Sequence, residues 1–386
     1  MSTKLRLGMV GGGQGAFIGA VHRIAARIDD EYELVCGAFS SDPEKSKLSG
    51  AQLGIPASRT YGSYQEMYEN ELLLPEAERV QVISIVTPNH VHFGPAKMAM
   101  ESGFSVILDK PIAFSLAEAL ELKKISGHTG KRLALTHTYT GYPMVKEARQ
   151  LVASGKLGEI RKVYAEYPQG WLSTFEEGGT NKQASWRTDP SQSGIAGAMG
   201  DIGTHAFNLA EYVTGLQVAR LCADINIVVA GRKLDDDGTA MLKFNNGASG
   251  VLFATQVAAG EENNVKIRVY GEKGGLEWQQ SDANTLVVKS LTGPAEIYRT
   301  GGKYLGSFAT HNTRTPGGHP EGYLEAFANI YRNFALTVRA DLDHERPAPE
   351  CLDFPGIEEG IRGMAFIERV IESGKSDNKW IDLKIE

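Results

Sequence analysis

"LRLGMVGGGQGAFIGAVHRIAARI", residues 5–28, decides how this chain begins to fold. Residues 5–10 are a short apolar run of the kind that forms a buried strand, and residues 16–28 repeat their apolar side chains at helical spacing. Between them "GGGQGA" sets Gly11, Gly13 and Ala16 in the pattern G-x-G-x-x-A. Glycine lets the main chain turn sharply and approach a pyrophosphate, a small third residue lets helix pack on strand, and the amides of the helix start face the anion. The segment therefore predicts a dinucleotide site at the first strand-to-helix turn, touched by Gly11, Gly13, Gln14, Gly15 and Ala16.

The alternation continues. Residues 32–39, 81–86, 104–108 and 131–137 read as strands; helices are expected from Pro43 to about Gly50–Gly54, over 94–102 and from Leu116. Strands separated by helices pair in parallel through right-handed crossovers, so residues 1–137 are expected to form a doubly wound Rossmann domain. Its ligand would lie beyond the carboxyl ends of the strands. There the chain carries "TPNHVH" (87–92) and "LDKPIAFSLAE" (108–118), which predict Thr87, Asn89 and Lys110 at the cofactor, with His92 and Asp109 of the same motifs counted among its contacts. Pro111 disfavours a helical backbone at Lys110, and Ser115 with Glu118 makes a capping box for the next helix. A solvated surface lysine is the plainer alternative. The second strand ends in Phe39, Ser40 and Ser41, without the carboxylate that would bind the ribose of NAD. Serine hydroxyls suit a ribose or a 2′-phosphate, so NAD and NADP both stay open; "SDPE" also reads as a capping box with Ser41 as N-cap.

From residue 138 the pattern changes. A helix ending at Gly155 precedes alternating strands, with "NNG" (245–247) and "GEKGG" (271–275) as hairpin turns. Residues 138–386 are thus expected to be a second α/β domain, for substrate binding and oligomerisation, with a large, mostly antiparallel sheet. Segments 167–197 and 291–322 read as long irregular loops, which cover a binding site or pack on the core or a subunit contact. Trp171, Trp186 and Arg187 in the first suit a hydroxyl-rich ring, as does Tyr139 beside the second domain's start.

The balance of 40 basic and 47 acidic residues, net −7, offers no basic block for nucleic acid. Three scattered cysteines fit a reducing compartment, and no apolar run suggests a leader or a membrane span, so a cytoplasmic protein without membrane partners is expected.

"MGDIGTHAFNLAEYVTG" (199–215) reads as a helix whose core stripe is Ile202, Ala206, Leu209, Ala210 and Val213. Asp201 and His205 lie four residues apart beside that stripe, within reach of each other. An oriented histidine is a general base for a hydroxyl, and a neighbouring carboxylate stabilises the imidazolium that forms. On spacing alone a helix-terminal charge and a satisfied interface histidine read somewhat better. The histidines and acids show no standard metal spacing, and no metal is expected.

The glycine turn, "TPNHVH", "DKP" and "GDIGTH" in that order, followed by hairpin strands, resemble the Gfo/Idh/MocA family of NAD(P)-dependent oxidoreductases over essentially the whole chain. The resemblance implies a Rossmann domain followed by an α/β domain whose sheet is often a subunit interface, hence a homodimer or homotetramer. By position, Lys110 matches the family's Glu-Lys-Pro lysine, with Asp109 in place of the glutamate, and Asp201 with His205 matches its Asp-x-x-x-His pair. "GHPEGY" (318–323) resembles a late segment that approaches substrate in sugar-oxidising members, which adds His319. The expected function is hydride transfer between NAD(P) and a secondary hydroxyl of a cyclic polyol, sugar or glycoside. The alternatives are a glycosidase that oxidises its substrate transiently and a cofactor-sensing regulator.

Overall fold

In a computed structural model, which describes residues 4–179 and 181–385, the leading strand β1 (Leu5–Gly11) runs into α1 (Phe17–Ile28) as its sequence requires. The first three residues of the stretch read as leader-free lie outside the described residues. Further along come β2 (Tyr32–Ala38), α2 (Pro43–Gln52), α3 (Tyr64–Leu73), β3 (Val82–Val86), α4 (Phe93–Glu101), β4 (Ser105–Leu108), α5 (Leu116–Thr129) and β5 (Leu133–Leu135). The strands form one parallel sheet in the order β2-β1-β3-β4-β5. All residues of β3 and β4 are buried, the mark of parallel strands covered on both faces. Strand order reverses between β1 and β3, so the crevice for a ligand opens where Gly11 lies beside Val86.

The second unit contains α6 (Pro143–Ala153), β6 (Ile160–Pro168), α7 (Lys182–Arg187), α8 (Pro190–Ser193) and α9 (Thr204–Thr214). The strands β7 (Val218–Asn226), β8 (Asp237–Phe244), β9 (Ser249–Thr255), β10 (Lys266–Gly271), β11 (Gly274–Gln279), β12 (Thr285–Ser290) and β13 (Glu296–Arg299) follow. After α10 (Ser307–His311) and α11 (Tyr323–Leu342), the chain ends in α12 (Ile357–Lys375) and β14 (Trp380–Asp382). Nine strands pair as β13-β12-β11-β10-β6-β9-β8-β7-β14, antiparallel throughout except for β6 beside β9. In β8 burial alternates residue by residue, with Ala240, Leu242 and Phe244 on the inner face and Thr239, Met241 and Lys243 outside. Helices α6 and α9 lie against this sheet.

Two departures from the sequence reading concern where segments belong. The compact units are 1–138 with 323–360, and 139–322 with 361–386, so the chain returns to the first unit at 323–360 before rejoining the second, rather than remaining in the second from 138 onward. The reason is α11: Phe327, Tyr331 and Phe334 are fully buried among Leu5, Leu7, Val21 and Ala25, at about 1.5–3 kcal/mol for each large apolar side chain. The long loops are also more structured than expected: 167–197 contains α7 and α8, and 291–322 contains α10 and β13, which pairs with β12.

Candidate functional site

In the first unit the glycine turn is shaped by close approach. Gly11 and Gly12 have φ of +81° and +72°, and a Cβ on Gly13 would lie 2.6 Å from both the Phe39 carbonyl and Ser49 Oγ. Helix α1 begins at Phe17 behind the N-cap Ala16, which offers no side-chain acceptor for the first amides. Gly13, Gln14, Gly15 and Ala16 line a cavity of about 430 Å³ together with Arg23, Ser49 and Gln52. Arg23 Nη1 donates to the Gly12 carbonyl (2.6 Å), which puts a guanidinium at the turn. Thr87 Oγ1, beside the turn, is buried with no hydrogen-bond partner. Uncapped helix amides, a cationic side chain, a cradle that a methyl group would fill and an orphaned hydroxyl fit the pyrophosphate and ribose of a dinucleotide. Sequence reasoning missed Arg23 and also Gly19, whose Cβ would meet Gly12 Cα at 2.4 Å. The helix also meets the turn closely at Gly19, three residues beyond Ala16.

The cap of α2 also differs. Its N-cap is Asp42, whose carboxylate accepts from the Glu44 (3.0 Å) and Lys45 (3.3 Å) amides, because Pro43 takes the first helical position. Ser41 is exposed and takes no part in the cap, and Ser40 Oγ accepts from the Asp42 amide.

At the end of β4, Asp109 and Lys110 precede a cis peptide to Pro111. Thr136 Oγ1 donates to Asp109 Oδ1 (2.7 Å), and His22 Nε2 lies 3.8 Å from the same oxygen. Burial resists ionisation of Asp109, yet His22, Lys110 and Thr136 together hold its carboxyl well below the usual carboxylate range. His137 is pushed down to about 3 by burial and by Lys110, against the pull of Asp109. Asn89 stands in the short turn after β3. His92 is wholly buried, with Nδ1 2.6 Å from the Pro111 carbonyl and Nε2 2.9 Å from that of Thr87. It joins the two strand-end loops, those of Thr87 and Pro111.

In the second unit the expected helix at 199 opens as a π-turn, Met199–Gly203, before α9 begins. Such turns recur at functional sites. Its start is held from 36 residues away: Asp235 accepts from the Gly197 (2.6 Å) and Met199 (2.8 Å) amides. Asp201 Oδ2 accepts from Gln256 Nε2 (3.0 Å) and pairs with Arg187 Nε (3.3 Å), and the Arg187 guanidinium stacks over Trp186 at 4.3 Å. The predicted Asp201, Arg187 and Trp186 therefore do come together. The His205 ring sets its edge against Tyr139, with centroids 5.0 Å apart, and lies 6.2 Å from Tyr167. Tyr139 and Tyr167 are hydrogen-bonded through their hydroxyls; Tyr167 donates to Asn263 Oδ1 (2.8 Å), and Asn263 Nδ2 donates to Tyr139 Oη (3.2 Å) and Gln280 Oε1 (3.1 Å). Tyr167, Asn263, Gln256 and Gln280 were not singled out in the sequence, since each reads as an ordinary strand or loop residue. The stripe Ile202, Ala206, Leu209, Ala210 and Val213 is buried as expected, but so are Phe207 and Asn208, which makes α9 a core helix rather than an amphipathic one. Trp171 is partly exposed and donates to Gln169 Oε1 (3.0 Å), and His319 is exposed with Nδ1 donating to the Pro316 carbonyl (3.1 Å).

Residues 5–137 match the oxidoreductase family with an NAD-binding Rossmann fold, and residues 145–277 match the GFO/IDH/MocA C-terminal domain. The chain belongs to the Gfo/Idh/MocA family. This Gfo/Idh/MocA protein is 32% identical to an uncharacterised oxidoreductase of Bacillus subtilis, with all of this chain and 98% of that one covered. It is 44% identical to an oxidoreductase of Sinorhizobium meliloti of known structure (TM-score 0.88, 98% and 100% covered). An inositol dehydrogenase homologue from Azotobacter vinelandii is 33% identical in its complex with NAD+ (TM-score 0.93, 99% and 98% covered). The same homologue has also been solved with NADH and myo-inositol (32% identical, TM-score 0.90, 99% and 98% covered). The protein is accordingly an NAD-dependent oxidoreductase built from a Rossmann unit and a unit with a large, mostly antiparallel sheet. Among the described residues no helix is long and apolar enough to cross a membrane, and no group of three or more His, Cys, Asp or Glu is disposed to hold a metal ion.

Proposed function

We propose that this oxidoreductase oxidises a secondary hydroxyl of a cyclic polyol, sugar or glycoside, with His205 as the general base. One observation carries the reading: the His205 ring stands among aromatic faces, Tyr139 and Tyr167, whose hydroxyls are tied to the amides of Asn263 and, through it, Gln280. Aromatic faces suit the C–H faces of a saturated ring, and fixed donors and acceptors suit its hydroxyls. The relative solved with myo-inositol supports the same substrate class.

In this scheme His205 takes the hydroxyl proton. Asp201, held by Arg187 and Gln256, orients the imidazole and stabilises the imidazolium, and Lys110 stabilises charge developing on oxygen. The glycine turn, Arg23 and Thr87 would hold the dinucleotide, whose nicotinamide accepts the hydride when bound. Ser40 and Ser41 decide between a free ribose and a 2′-phosphate.

A panel of inositols, aldoses and glycosides assayed with NAD and NADP at the reduced-nicotinamide absorbance band tests substrate class and cofactor choice together. On the substrate so found, His205→Ala should bind NADH normally and lose about 10²–10⁴-fold in kcat. Wild-type turnover by that variant would refute the base assignment.

A further inference from the structure

We propose that His22 is a positioning residue for the reaction: it holds the carboxylate of Asp109 and, through it, Lys110. The inference rests on the role given to Lys110 above. His22 lies on α1, far in sequence from Asp109, and is wholly buried. Its Nδ1 is 2.7 Å from Tyr331 Oη and 3.3 Å from Ser84 Oγ, and the two hydroxyls are 2.8 Å apart. Its Nε2 is buried without a hydrogen-bond partner and is aimed at Asp109 Oδ1, 3.8 Å away. An ionised carboxylate only accepts, so Nε2 bears the proton on that side. The Tyr331 hydroxyl donates to Nδ1 and accepts from Ser84. The result is a directed run of hydrogen bonds from Ser84 to Tyr331 to His22, whose Nε2–H faces Asp109 Oδ1 at 3.8 Å, the same oxygen that accepts from the Thr136 hydroxyl.

Several features make this more than core filling. Phe327 packs its edge against the His22 ring (4.7 Å), and Tyr331 is fixed in turn by Tyr32, which donates to its carbonyl (2.9 Å). These neighbours leave the His22 ring wholly buried, so the field of its N–H on Asp109, whose side chain is 17% exposed, is screened less than it would be at the surface. An aspartate is a methylene shorter than the glutamate that the Glu-Lys-Pro motif would place here. A short carboxylate held by Thr136 alone could swing toward Lys110; the imidazole adds a second group facing the same oxygen. The charged and titratable groups acting on Asp109 are Lys110, His22, His92, His137 and Tyr331.

The test has two arms. In ¹⁵N-histidine NMR of the ligand-free protein, His22 should show a protonated Nε2, and Asp109→Asn and Tyr331→Phe should each shift its ring signals and leave those of His205 in place. A His22 proton on Nδ1 alone, or signals insensitive to Asp109→Asn, would overturn the proposal. In the second arm, the panel member that turns over fastest is assayed with His22→Leu, His22→Gln, Asp109→Asn and the double variant His22→Leu/Asp109→Asn. His22→Leu should lower kcat about tenfold or more, with NADH affinity and substrate KM unchanged. His22→Gln, which restores an N–H donor, should recover most of that loss. The double variant should fall within about twofold of Asp109→Asn, because both act through one carboxylate. Multiplying losses, or a glutamine no better than leucine, would show that His22 only fills space. Because the first arm reads the His22 ring in ligand-free protein and neither arm replaces His205, the base assignment and this proposal fail separately.

Discussion

Gly19→Ala is the sharpest test of how the cofactor turn is built. In an isolated helix the change would stabilise by up to about 1 kcal/mol. In this protein the added Cβ would lie 2.4 Å from Gly12 Cα and 2.5 Å from Gly12 O, where ordinary contact begins at 3.4 Å, so the turn must retreat by about 1 Å. Both obstructing atoms are backbone in a residue already at φ +72°, so no side-chain rotation relieves the clash. Overpacking of this kind costs about 1–3 kcal/mol, and the rigid neighbours favour the upper end, leaving a net loss of about 1–2 kcal/mol after the helical gain. That corresponds to a Tm lower by about 2–8 °C, and the displaced turn should weaken NADH binding about tenfold or more. Gly127→Ala is the control: it sits in α5 with nothing within 4 Å of its Cβ, and should stabilise by about 0.5–1 kcal/mol. Thermal denaturation and NADH fluorescence titration read both effects. If Gly19→Ala raised Tm as the control does and bound NADH as the wild type does, the close-approach argument would be wrong.

Other expectations concern acid stability and the helix carrying Asp201. His137, pushed down to about 3 by burial and Lys110, is neutral in the fold while an unfolded histidine titrates near 6.5, so the unfolded state binds more protons between those values. Stability should therefore be intact above about pH 6.5 and fall as pH drops toward 3, by up to about 1.4 kcal/mol per pH unit from this group; urea midpoints at pH 7.5, 5.5 and 4.5 should show His137→Asn losing less than the wild type over that range. Asp235→Ala strips the acceptor from two buried amides at the π-turn, Gly197 and Met199, and should cost about 2–4 kcal/mol. Its kcat should fall more than its NADH affinity, and equal stability to the wild type would show that the turn is held by something else.

Much of the fold follows from local rules. Alternating apolar runs and helical repeats in residues 5–137 specify a parallel sheet wherever they occur, and the glycine turn falls at the reversal of strand order because only there does the first strand meet a ligand crevice. Sequence reasoning went astray where a nearby alternative of equal local merit existed. Ser41 and Asp42 are both good caps; Pro43 settles the matter by claiming the first helical position. Ala16 and Gly19 are both small, and only the approach of Gly12 shows that the turn requires glycine at 19 as well.

Of the candidate site, the titratable residues are legible in the sequence and the groups around them are not. Lys110, Asp201 and His205 stand in recognisable motifs, whereas the hydrogen bonds in their surroundings come from elsewhere in the chain: Tyr331 and Ser84 reach His22 across 309 and 62 residues, Gln256 reaches Asp201 across 55, and Asp235 reaches Met199 across 36. No periodicity marks such pairs, because a supporting tyrosine or aspartate looks like any other core or strand-end residue until the fold sets it opposite its partner. The placement of α11 follows the same logic. Its aromatic stripe is satisfied by any apolar surface, so sequence shows that it must be buried but not in which unit. His22 breaks that degeneracy: a buried imidazole on α1 needs a polar partner, and Tyr331 is the residue of α11 that supplies one. A Tyr331→Phe variant with wild-type stability and unchanged His22 NMR signals would mean that apolar packing alone docks this helix, and the polar chain behind Asp109 would lose its anchor.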